Sequence, residues 1–115
     1  MDFPSPQDTP VVEATPNVGT RLLFENERVR VWDLALEPGQ WLEKHIHHED
    51  FLFVVTDGGE LRHVDPTDAA NNRDAHYKDG LVVFHQAGEG ITHHRLVNVG
   101  ETFYRNIVVE LKRAP

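Results

Sequence analysis

From residue 20 onward, apolar and polar positions alternate with a period of two rather than 3.6, which is the signature of strands. Segment 20–24 is short and apolar. Segment 28–36 alternates, with Val29 and Val31 on one face and Trp32, Leu34 and Leu36 on the other. Segments 40–47, 50–56, 60–64, 75–78, 81–85, 91–98 and 102–111 continue the series. Between them stand Pro38-Gly39, Asp57-Gly58-Gly59, Asp79-Gly80 and Val99-Gly100-Glu101, which are turn sequences. The Asp-Gly pairs read as hairpin signals, and 65–74 reads as a polar loop. No window keeps a helical period. The pattern predicts an all-β sandwich or barrel of nine or ten antiparallel strands, a single domain over 19–115.

The first 18 residues break this pattern. Pro4, Pro6, Pro10 and Pro16 stand among Ser, Thr, Asp and Asn, a composition that prevents helix and favours extended or flexible chain. The segment 1–18 is expected to be an arm, either frayed or paired along a sheet edge of this chain or a second subunit, with Val11-Val12 as its anchor.

Composition narrows the partners. The 115 residues suffice for one modest core. Eleven Lys and Arg face nineteen Asp and Glu, for a net charge of −8; this argues against nucleic acid and anionic membranes, which need a basic footprint. No apolar run approaches the ~20 residues of a membrane span, and the first residues do not resemble a signal peptide, so a cytoplasmic location is expected. With no cysteine, disulfides and thiolate metal sites are excluded.

The chemistry lies in the histidines. His45 and His47 are two residues apart on a predicted strand, so both rings leave one face and can reach one atom. His48 faces the other way. A third ligand must come from elsewhere, and the adjacent pair His93-His94 is the source. Alternation groups His94 with Leu96 and Asn98, and His93 with Arg95 and Val97; periodicity does not choose between them.

Two stretches of the chain resemble the motifs of the cupin superfamily. In the first, Gly39, five residues, His45-Ile-His47, three residues, Phe51, six residues and Gly58 match the first cupin motif, with Phe51 where the family has a metal-binding Glu. In the second, Gly80, five residues and Gln86-Ala87-Gly88, then His94, three residues and Asn98 match the second motif, with Gln86 for the family's Pro and a longer loop after Gly88. The resemblance spans residues 20–111 and is nearest to the small single-domain, RmlC-like cupins, including those associated with β-alanine degradation.

This resemblance implies a double-stranded β-helix, or jelly-roll barrel, and selects His94 over His93. It implies a divalent metal, Fe, Zn, Ni or Mn, held by His45, His47 and His94, with open positions for water or substrate. Some cupin dioxygenases manage with three His and no Glu. Glu49 has the strand parity to stand in for the missing carboxylate. Phe51 would line an apolar pocket with Phe53, Phe84 and Phe103, and Arg105 would hold a substrate carboxylate if it projects inward. Asn98 is expected to cap a turn; Trp32 and Trp41 are expected in the core or at a subunit contact. Two functions follow: a metal-dependent oxygenase or related enzyme for a small organic acid or diketone-like molecule, or a non-catalytic binding cupin with a vestigial site. No catalytic residue is assigned. A homodimer is expected from the arm and the exposed sheet edges.

Overall fold

The computed structural model describes residues 4–113. Eleven strands are present among them: β1 (Arg21–Glu25), β2 (Val29–Leu36), β3 (Trp41–Leu42), β4 (His45–His47), β5 (Asp50–Asp57), β6 (Gly59–Val64), β7 (Arg73–Tyr77), β8 (Val82–His85), β9 (Ile91–His93), β10 (Arg95–Asn98) and β11 (Tyr104–Leu111). A single 3-10 turn, Ala69–Asn71, interrupts the polar loop, capped by the Asp68 carboxylate. The surplus over nine or ten strands comes from two predicted strands that each divide. Segment 40–47 breaks at Glu43-Lys44 into β3 and β4, and segment 91–98 breaks at His94 into β9 and β10.

The strands form a five-stranded sheet in the order β1-β2-β11-β5-β8, a four-stranded sheet β3-β10-β6-β7 and a two-stranded ribbon β4-β9. All strand pairs are antiparallel. The Asp-Gly turns do not close hairpins. β5 lies in one sheet and β6 in the other, and the same holds for β7 and β8. Each turn carries the chain across the core, which is how a jelly roll is wound. Pro38-Gly39 behaves as its sequence predicts: Gln40 N–H donates to the Glu37 carbonyl at 2.9 Å, and Gly39 takes φ 86°, a value a side chain disfavours.

Between the two sheets lies the core, with Val18, Trp32, Leu34, Leu36, Phe51, Leu61, Tyr104 and Val108 among its buried members. Two of its polar members are fully partnered. Asn98, fully buried, donates to the Leu36 and Thr102 carbonyls and accepts from Gly100 N–H, the turn cap expected of it. Trp32 donates its indole N–H to Glu110 at 2.7 Å.

The arm lies on its own chain. Thr15 forms a parallel bridge with His45, and Val18 is its buried apolar residue. Val11 and Val12 are exposed and anchor nothing among the described residues. The strongest tie is Arg95, fully buried on β10, whose guanidinium donates to the carbonyls of Pro6, Thr9 and Pro10 and to Glu43. Trp41 packs beside it, with Arg95 Cζ 5.7 Å from the ring centroid.

Candidate metal centre

The ribbon β4-β9 builds the site. Register sets His45 opposite His93, Ile46 opposite Thr92 and His47 opposite Ile91. Residues i and i+2 share a face, so His45 and His47 leave the ribbon together and His93 joins them from across it. One ligand atom from each of the three lies within 4.8 Å of the others. Two atoms each ~2.1 Å from one ion are at most ~4.2 Å apart, so the grouping is close to coordination distance.

His94 is not part of this cluster, contrary to what the motif frame implies. The chain leaves regular strand geometry at His94, between β9 and β10, and the alternation restarts on the other parity. His93 faces inward before the break and Leu96 after it. The His94 ring stays half-exposed, with Nε2 3.6 Å from the Asp65 carboxylate. The sequence contained both candidates; the signal for a parity switch, if any, was the extra length of the loop before them.

Burial and hydrogen bonding prepare the three rings for a cation. Burial pushes the pKa of His45 down, that of His47 down to about 2, and that of His93 down to about 4, the two latter also lowered by neighbouring imidazoles. All three are therefore neutral at pH 7, the form that ligates metal. His45 Nδ1 is 2.9 Å from the Glu43 carbonyl. A carbonyl only accepts, so Nδ1 carries the proton and Nε2 keeps its lone pair. His47 Nδ1 is buried without any partner, a cost of ~1–3 kcal/mol that a bound group can relieve. The donor set therefore fits a divalent ion of intermediate softness.

The cluster opens on a cavity of about 370 Å3 between the sheets. Six of the eight histidines line it: His45, His47, His63, His85, His93 and His94. Phe51 and Phe53 line it as well. Phe51 stacks on His47, with ring centroids 3.7 Å apart and planes 13° from parallel, so an apolar ring occupies the flank where a carboxylate would add a ligand. Glu49 does not compensate. It accepts from the backbone N–H of Arg113 at 3.1 Å, beyond the ribbon. Asp50 accepts from Ala87 N–H at 2.8 Å and holds the 86–90 loop in place.

Three other expected pocket residues lie elsewhere. Phe84 and Phe103 are exposed, at 54% and 39%, and Arg105 pairs with Asp33 at 2.7 Å on the outer face of the five-stranded sheet. On β11 the inward residues are Tyr104, Asn106, Val108 and Glu110. Arg105 has the opposite parity. Among the cavity residues not anticipated are His63, His85, Arg73, Tyr77 and Asn106. Asn106 donates to the Tyr104 hydroxyl at 2.7 Å and leaves its own amide oxygen buried and unpartnered.

No protein-family model matches the chain, and no curated protein matches it. Solved structures do. A cupin domain from Bordetella pertussis Tohama I aligns over 89% of this chain and 99% of its own, at 21% identity and TM-score 0.68. An RmlC-like cupin family protein with a double-stranded β-helix fold, from Methanocaldococcus jannaschii, aligns over 90% of both chains, at 18% identity and TM-score 0.61. A sugar phosphate isomerase from a cupin superfamily, from Silicibacter pomeroyi, aligns over 75% of this chain and 52% of its own, at 24% identity and TM-score 0.52. Together with the crossed strand order and the inward histidine ribbon, these likenesses show that the chain has the cupin fold, the double-stranded β-helix of the cupin superfamily.

Proposed function

We propose that His45, His47 and His93 hold one divalent metal ion, and that the chain is a metal-dependent enzyme of the oxygenase, isomerase or lyase kind for a small organic acid or diketone-like molecule. One observation carries this reading: three neutral imidazoles, two buried and one half-buried, converge on the wall of a cavity large enough for a small ligand. Such an ion supplies Lewis acidity and a place for a ligand's oxygen atoms. The chain's own residues do the rest. Phe51 and Phe53 exclude water from one side, the Glu43 carbonyl holds the His45 tautomer, and the 86–90 loop, tied by Asp50, sets where β9 enters.

Elemental analysis of the purified protein, with single variants alongside, tests the ligand set. We expect about one equivalent of metal per chain, lost in His47→Ala and His93→Ala and retained in His94→Ala. Metal lost in His94→Ala but kept in His93→Ala would restore the set that the motif frame implies. Oxygen uptake by the Fe(II)-loaded protein, measured against small acids and diketones, tests catalysis. A non-catalytic binding role is the second reading, and the state of the acids favours it. Asp65 is held by Thr67 and Asn71, Asp74 by Arg62, and Glu49 by Arg113, so none is free to act as a base. Absence of turnover with every metal that binds would decide for that role.

For assembly, we propose a homodimer formed through the outer face of the five-stranded sheet. Register places Phe24, Val31, Val109, Leu52 and Phe84 in one row across all five strands, with Ile107, Val54 and Val82 in the next. Five strands ~4.8 Å apart make a face of roughly 24 by 20 Å. The bordering charges are neutralised within the chain: Asp33 by Arg21 and Arg105, Glu25 by Arg30 and Lys112. A second copy can therefore approach without burying an unpaired ion, and a two-fold pairing matches row to row.

A further inference from the structure

Arg73 is the one Lys or Arg among the residues lining the cavity. It is also without a carboxylate at ion-pair distance among the described residues, while both acids on the wall are taken by other partners. Its place is fixed by register. On β7 Arg73, Ala75 and Tyr77 share one parity and line the cavity, and Asp74, of the other parity, borders it as well. Arg73 sits opposite His63 on β6, and His63 sits opposite Leu96 on β10. The His63 ring centroid is 6.4 Å from that of His93. Stepping across one wall, the order is therefore His93, His63, then Arg73 one strand further, ~4.8 Å on.

We propose that Arg73 is the anion-recognition residue of this cavity, and that its ligand is a small carboxylic acid whose carboxylate pairs with the guanidinium while its remaining oxygen atoms face the imidazole cluster. The second half of this statement rests on the metal reading above; the first does not. Size and charge both support it. A cavity of about 370 Å3 is in the range that takes a small molecule. A chain of net charge −8 repels anions at long range. Capturing one takes a local cation with free donors, and a planar guanidinium offers two in the geometry of a carboxylate. The exposed edge position of β7 lets Arg73 meet the ligand at the mouth and follow it inward.

Calorimetry on the full chain tests this, with malonate as the anionic probe and malonamide as its uncharged counterpart. Each is titrated into wild type, Arg73→Gln and Arg73→Lys, with and without Co(II), after a Co(II) titration of all three. Malonate is expected to bind wild type more tightly than malonamide. Its Kd should rise roughly tenfold or more in Arg73→Gln, the size of a lost charge-assisted pair. Arg73→Lys should retain part of the affinity, and the Co(II) and malonamide affinities should not move. Equal malonate affinity in wild type and Arg73→Gln would overturn the proposal, as would a wild type that binds malonate no better than malonamide. If Co(II) fails to bind at all, the metal reading falls, and the malonate comparison on the metal-free protein still decides the role of Arg73.

Discussion

The two main sheets share a core but finish their outer faces in opposite ways. The four-stranded sheet is covered by its own chain: the arm crosses it, and Arg95 projects outward from β10 into three arm carbonyls. The five-stranded sheet has no such cover among the described residues, and Phe24, Val82 and Phe84 stand more than half exposed. An outer face can thus be finished with a polar clamp and a strap, or left apolar for another molecule to finish. The first choice costs a buried guanidinium. The second leaves a patch that soluble monomers seldom keep.

The comparison breaks most severely at Arg95. In Arg95→Ala the arm carbonyls and Glu43 lose their donors in a buried setting; urea unfolding should show a loss of ~3 kcal/mol or more, and limited proteolysis should cut within 4–18. A loss under ~1 kcal/mol would mean that the strap holds without its clamp. Next comes the bare face. Phe24→Glu combined with Phe84→Glu should weaken self-association roughly a hundredfold in sedimentation equilibrium, a change of ~2.7 kcal/mol. The unfolding free energy of the monomer should move by less than ~1 kcal/mol, because both rings are already exposed. A wild type that sediments as a monomer would remove the second half of the comparison altogether.

A smaller effect is expected inside the five-stranded sheet. Trp32→Phe removes the indole N–H that Glu110 accepts at 2.7 Å, leaving this buried carboxylate to Arg30 at 3.3 Å. The cost should be ~1–2 kcal/mol by urea unfolding, with dimerisation unchanged. Between the sheets, pH is the probe. His47 and His93 have folded pKa values pushed down to about 2 and about 4, from an ordinary value of 6.5. Between pH 6.5 and 4 the unfolded chain binds more protons than the folded one, so stability falls as pH falls through that window. Thermal melts of the metal-free protein should record the decline. His93→Ala should make it shallower, without touching either outer face.

The uncovered face also explains what could be read from the sequence and what could not. Alternation identified the strands, the shared face of His45 and His47, and the grouping of Trp32, Leu34 and Leu36 on one face of β2, which the structure buries. It works only where one face is polar. β11 carries Tyr104 and Val108 on its inner face and Ile107 and Val109 on its outer one; with both faces apolar, Arg105 had no visible side. Phe84 is the same case, an outward ring on a strand whose neighbours Val82 and Val83 are apolar in both directions. His94 failed for another reason. Parity is a property of an unbroken strand, and the strand breaks at that residue. Arg73 and Asn106 became visible only when β6, β7 and β11 were brought to one cavity.

The ribbon β4-β9 has three residues on each side, and two such short strands hold together only weakly by themselves. Yet all three rings of the metal cluster hang from it, two on one strand and one on the other. An ion seated there would tie distant parts of the chain as a covalent cross-link does, trimming the freedom of the unfolded ensemble by loop closure. Occupancy and mechanical firmness of the cavity mouth would then rise and fall together, and a chelator would loosen the entrance before it unfolded anything else.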